Sequence, residues 1–300
     1  MSKRLAGIAI VAWALGSSAY GGLTFNITYT SNVSSDPNFS SIKTAVQFVE
    51  SEFSSLYSNN ITLNITIDEG AVGLGESSTL LQGSSYAAIR TALIANASSA
   101  NDNSFNSALP ATDPTGHSWF VPFAEAKALG LRAGNNASSD GTYTFDNTQT
   151  YTYDPANRGT GGFDFIGVTE HEFSEIMGRT NDLGNNIDLP FDLGRFTGNN
   201  TRSFANTGSG VYFSIDNGAV NLHNFNGSGS GDVQDWDGSV LTDPFNASTG
   251  PNQRHFLSSE DIALLNVIGY DLAVPEPGTF GLAGVVLIGA GLVRRFTRKR

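Results

Sequence analysis

Val168-Thr-Glu-His-Glu-Phe-Ser-Glu-Ile-Met-Gly178 is the stretch from which the fold is read. It differs by one residue from the zinc-protease signature H-E-x-x-H, with Glu175 in place of the second histidine. Residues four apart on a helix lie on one face, one turn from each other. His171 and Glu175 have that spacing, so both side chains can reach one metal ion. Glu172 is rotated by about 100°, which points it beside the metal. In the full motif the intervening glutamate is the general base, and zinc lowers the pKa of its water to about 7, where a carboxylate can take the proton. The spacing therefore predicts Glu172 as catalytic base and His171 and Glu175 as metal ligands. A carboxylate binds zinc at roughly 2.0–2.2 Å, so Glu175 keeps the coordination geometry. Its negative charge should weaken the metal as a Lewis acid and admit harder ions such as calcium or manganese.

The surroundings favour a helix. Phe163-Asp-Phe-Ile-Gly-Val168 places apolar residues at helical spacing with Phe173, Ile176 and Met177, and Gly178 is placed to end the helix as a left-handed cap. Gly167, near the start, suits the close approach of another backbone. The competing reading is a solvated acidic face made of Glu170, Glu172 and Glu175, with His171 as a lone histidine. Gly178 lies seven residues after His171, the glycine position of the longer pattern H-E-x-x-H-x-x-G-x-x-H. The third-ligand position of that pattern is Asn181, a poor zinc ligand. Asp182, Asp188 and Asp192 follow, and any of them can supply an oxygen, although turn formation is the commoner role of such residues. Asp232, Asp235 and Asp237 form a loose acidic loop without EF-hand spacing. The other histidines, His117, His223 and His255, read as polar loop residues rather than distant ligands.

Phe256-Leu-Ser-Ser-Glu-Asp-Ile-Ala-Leu-Leu-Asn-Val-Ile-Gly-Tyr270 predicts a second helix. Ser258 or Ser259 caps it, Glu260 and Asp261 occupy its first turn, Ile262, Leu265 and Ile268 form its buried stripe, and Gly269 ends it. It looks like the C-terminal helix of matrixin-type metalloproteases. Glu170-His-Glu-Phe-Ser-Glu-Ile-Met-Gly-Arg179, Asp192-Leu-Gly-Arg-Phe196 and Tyr212-Phe-Ser-Ile-Asp-Asn-Gly218 resemble the E-H-E-x-S-E-x-M-G-R, D-L-x-R-[YF] and Y-F-S-I-D-x-G segments of a family of secreted bacterial metalloproteases. The resemblance is strong over residues 160–272 and weak in the N-terminal third. It implies an α+β, zincin-like fold: a mixed sheet with an active-site helix, an irregular loop-rich lower lobe and a C-terminal helix. It also implies metal-dependent peptidase activity with Zn2+ or another divalent ion, and glutamate is usual in that family at the position of Glu175. Metzincins set a methionine turn beneath the metal. Here Met1 and Met177 are the only methionines, so the turn at Ile187–Phe191 is expected in its place.

Both ends read as addresses. Residues 1–19 have a basic start at Lys3 and Arg4, an apolar stretch from Leu5 to Leu15 and small residues at Ser17 and Ala19, as in a secretory signal. At the other end come Val274-Pro-Glu-Pro-Gly278, an apolar run from Phe280 to Val293 and the basic tail Arg294-Arg-Phe-Thr-Arg-Lys-Arg300. Such a run can span a bilayer with the tail held in the cytoplasm. The three parts together resemble the PEP-CTERM sorting signal of Gram-negative bacteria, which implies an exosortase as processing partner. The expected organisation is a signal peptide (1–19), one zincin-like domain (20–273) and a sorting signal (274–300). The protein is expected to be secreted across the inner membrane, held transiently by the C-terminal helix, and then surface-bound or released.

The net charge of -12 argues against nucleic-acid binding, which needs a basic face, and several of the positive charges sit in the two end segments. There are no cysteines, so a core, with or without a metal, must supply the stability. Strands are expected at 23–29 and 61–67, helices at 41–56, 85–95 and 123–131, and a hairpin from Tyr143-Thr-Phe and Thr150-Tyr-Thr-Tyr153. Two functions follow: an endopeptidase acting on protein or peptide substrates through metal-activated water, or a non-catalytic cell-surface or biofilm-matrix protein that keeps the fold.

Overall fold

The computed structural model describes residues 22–273, and the expected signal peptide and sorting signal lie outside them. The chain enters along β1 (Thr24–Tyr29), turns through the short α1 (Ser31–Ser35) and returns as α2 (Phe39–Leu56). Ile42, Val46, Val49 and Phe53 of α2 are fully buried, at the spacing of one helix face. Next come β2 (Thr62–Gly70), β3 (Gly75–Thr79), β4 (Leu81–Ser84), α3 (Tyr86–Asn96), α4 (Ala100–Ser107), β5 (Ser118–Pro122), α5 (Phe123–Ala128) and β6 (Gly141–Asp146). The first sheet has the order β1-β2-β6-β3. β1, β2 and β6 run parallel, and β3 pairs antiparallel to β6 as an edge strand. The α+β expectation stands as a mixed architecture with several small sheets.

Against this sheet packs α6 (Phe165–Met177), the helix of the motif. Phe173 stacks on Phe25 of β1, with ring centroids 5.8 Å apart, and meets Tyr143 of β6 edge-on at 6.2 Å. Truncating a buried phenylalanine to alanine costs about 3–5 kcal/mol, so this contact fixes the helix on the sheet. Every residue of α6 except His171 is buried. The acidic-face reading therefore fails: Glu170, Glu172 and Glu175 are at most 5 % exposed. Gly178 ends the helix at φ 131°, and its N–H bonds back to the carbonyl of Ser174 or Glu175.

The expected hairpin does not form. Both segments are extended, but Asp146 accepts hydrogen bonds from Thr148 and from the N–H of Gly73, which turns the link toward the start of β3. Tyr151–Thr152 then pairs in parallel with Phe163–Asp164 instead of with β6. Residues 179–258 are mostly loops and two-residue strands. α7 (Ser259–Val267) closes the fold with a capping box between Ser258 and Asp261. Leu264, Leu265 and Ile268 are buried, whereas Ile262 is only partly so. The Tyr270 hydroxyl donates to the Met177 carbonyl at 2.8 Å, tying the segment after α7 to the end of the motif helix. No helix among the described residues is long and apolar enough to cross a membrane.

Candidate metal centre

Along α6, Gly167, His171 and Glu175 succeed one another at four-residue steps and line the floor of a cleft of about 250 Å³. One wall is Leu74 with the start of β3 (Gly75–Ser77), and the other is loop 231–249 with His255. At the floor, His171 Nε2 lies 3.4 Å from Glu175 Oε1 and 3.4 Å from Asp235 Oδ1. The donor atoms of these three residues all lie within 4.8 Å of one another. Zinc bonds of 2.0–2.2 Å at tetrahedral angles place donors about 3.3–3.6 Å apart, which the two separations from His171 Nε2 match. His171 Nδ1 is 2.8 Å from the Pro244 carbonyl. A hydrogen bond there puts a proton on Nδ1, so Nε2, once it gives up its own proton, can turn its lone pair to an ion among the carboxylates, as a ligating histidine requires.

Glu175 is fixed at both oxygens. Ser77 Oγ donates to Oε2 at 2.7 Å, and Gln234 Nε2 and Arg179 Nη2 approach Oε1 at 3.2 and 3.4 Å. Burial would raise its pKa, but His171, Arg179 and Ser77 outweigh burial and hold it at about 2. For His171, burial and the Arg179 charge act downward, yet Asp235 and Glu175 prevail and lift the imidazole to about 9. Burial, then the Glu175 charge, pushes Glu172 well above the usual carboxylate range. Its carboxylate sits against Gly75, where any side-chain carbon would run into it. Without a metal ion, this cluster gathers protons on His171 and Glu172. A divalent ion replaces that positive charge, so metal uptake should release protons.

Asp235, from the acidic loop, completes the cluster, not the three aspartates that follow the motif. Asp188 is buried beside His117 Nδ1 (3.2 Å) and accepts from Thr115. Asp182 accepts from Asn185 at 2.6 Å and lines a neighbouring polar cavity. Asp192 is fully buried and accepts the Leu189 N–H at 2.9 Å. The turn at Ile187–Phe191 is tied to β5 through Ser118 and Trp119, and it is the Pro244 carbonyl that supports His171. His223 stacks on Trp236, with centroids 4.7 Å apart. His255 lies behind Thr249 (Nε2 to Oγ1, 2.7 Å) and fills the space left by Gly167, so a side chain rather than a backbone makes the close approach there. Arg179 ends the E-H-E-x-S-E-x-M-G-R segment, and no local signal in the sequence marks its contacts with Asp235 and Glu175.

Asp192 carries its own prediction. Burial, opposed by Arg195, raises its pKa to about 8, against about 4 in the unfolded chain. Its stabilising contribution is therefore full below pH 4 and is lost as the pH rises through 8. Asp192→Asn keeps the acceptor for Leu189 but cannot ionise, so it should gain stability relative to wild type between pH 5 and 8. Urea unfolding at the two pH values measures this, and a relative loss would mean that Asp192 is ionised in the fold.

A family profile described as the PEP-CTERM protein-sorting motif matches residues 273–299. The motif implies a secreted protein sorted to the cell surface and processed by an exosortase. The match covers this C-terminal segment alone. No curated protein and no solved structure matches the chain significantly.

Proposed function

We propose that residues 22–273 form a zincin-like, metal-dependent endopeptidase, with His171, Glu175 and Asp235 as ligands and Glu172 as general base. The observation that carries this reading is the cluster itself: three donors at coordination spacing on the floor of a cleft, with a buried carboxylate one residue from the histidine. A zinc ion held there supplies Lewis acidity toward a substrate carbonyl. Glu172 takes a proton from the attacking water at its carboxylate oxygen and holds it for the departing amine. β3 has no partner in its sheet on the side away from β6, so an extended peptide can add there as a further strand with its carbonyls over the floor. Ser77, on the same strand, keeps Glu175 in place.

The test is a peptide library treated with chelated protein and with the same protein reloaded with zinc, with the products read by mass spectrometry. Zinc-dependent cleavage at internal bonds is expected. No cleavage by the loaded protein, or cleavage indifferent to chelation, refutes the proposal. One observation favours the non-catalytic surface or matrix protein as second reading: Arg179 Nη1 already bonds Asp235 Oδ1 at 2.6 Å, so the carboxylates have a cation without a metal.

A further inference from the structure

We infer that Arg179 selects the metal, converting an imidazole and two carboxylates into a donor set for a low-coordinate borderline ion such as zinc, against calcium. The inference rests on the metal-dependent reading above. Arg179 is fully buried. Its Nε donates to Ser174 Oγ at 2.8 Å, Nη1 to Asp235 Oδ1 at 2.6 Å, and Nη2 reaches Glu175 Oε1 at 3.4 Å. Its guanidinium carbon lies 4.4 Å from the centre of the Phe245 ring. The planar fork is thus held on several sides, a placement that a flexible ammonium would not reproduce.

His171, Glu175 and Asp235 line the cleft, and Arg179 does not. Arg179 donates to Asp235 Oδ1 and Glu175 Oε1, the same oxygens that lie 3.4 Å from His171 Nε2, so it and an ion would share them through different lone pairs. Two consequences follow for that ion. The first is charge. Two carboxylates and a neutral imidazole carry -2, and the bonded guanidinium brings the group to -1, the charge of the His2Glu set of catalytic zinc sites. The weakening of the metal that Glu175 brings is offset by a residue four positions further along the chain. The second is lone pairs. Ser77, Gln234 and Arg179 occupy the oxygens of Glu175, which leaves it little capacity for two-oxygen coordination. Calcium takes six to eight oxygens and prefers carboxylates that can supply both, whereas zinc needs four donors and accepts nitrogen.

The experiment measures dissociation constants for Zn2+ and Ca2+, each ion alone, on the wild type, Arg179→Gln and Arg179→Lys, with thermal unfolding of each variant as the check on folding. The zinc-over-calcium preference should fall at least about tenfold in Arg179→Gln and recover only in part in Arg179→Lys, which returns the charge but not the fork. A purely structural arginine would change both constants together, and an unchanged ratio overturns the inference while leaving the metal site standing. A wild type that binds neither ion overturns both. If Arg179→Gln does not fold, Glu175→Gln asks the same question with the opposite sign. It removes a donor charge with Arg179 in place, so calcium should be lost more than zinc, and a fall in the zinc-over-calcium ratio refutes the role given to Arg179.

Discussion

Glu172→Gln should reduce peptide hydrolysis by about 10²–10⁴-fold, the usual contribution of a positioned acid–base group, while metal content and unfolding temperature stay as in the wild type. Glutamine is nearly the same size, so it fits the space against Gly75 that admits no further side-chain carbon. It cannot take a proton, so only the transfer step is lost. Folding should not suffer, because burial and Glu175 already push Glu172 toward its neutral form in the metal-free protein, and the amide is neutral too. Initial rates on a peptide cleaved by the wild type, with zinc measured in the same samples, decide the matter. Wild-type rates in the variant would remove Glu172 from the mechanism.

Asp235→Asn should weaken zinc binding by about 100-fold or more, the effect expected of a lost charged ligand and at least that of losing an outer-shell partner. Asparagine still offers an oxygen to Arg179, so the guanidinium is not stranded. Leaving it stranded would cost about 3–5 kcal/mol and confuse binding with folding. The same change at Asp182, Asp188 or Asp192 should leave zinc affinity within about threefold of wild type, since none of the three belongs to the donor cluster and sites without shared partners couple weakly. Competition against a zinc-binding dye measures all four variants. If an aspartate that follows the motif proves the sensitive one and Asp235 does not, His171, Glu175 and Asp235 are not the ligand set.

The motif helix was legible because its information is local. Four-residue spacing put His171 and Glu175 on one face, the apolar residues marked the other, and Gly178 marked the end. β1, α2, β2 and α3 were legible for the same reason, from alternation or helical period in single segments. What failed was pairing. Tyr143–Phe145 and Thr150–Tyr153 do have strand character, but the Asp146 turn and the competing partner Phe163–Asp164 decide where they go. The third donor failed in the same way. Asp235 comes from a loop far along the chain from His171, and nothing in the spacing of Asp232, Asp235 and Asp237 distinguishes one from another. Burial of Glu170 was equally hidden, since its partner Arg158 (2.9 Å) stands before the helix in an ordinary turn. The C-terminal segment needed no folding at all to be read, because box, apolar run and basic tail are contiguous, and residues 273–299 match the sorting motif.

Elemental analysis of the purified protein, wild type beside His171→Ala, bears on all of this at once. About one equivalent of zinc in the wild type, absent from the variant, is the expected result for a single site with histidine as an essential ligand. No bound metal in the wild type after zinc reloading would leave Arg179, Glu175, Asp235 and His171 as a buried ion-pair network and favour the non-catalytic surface protein.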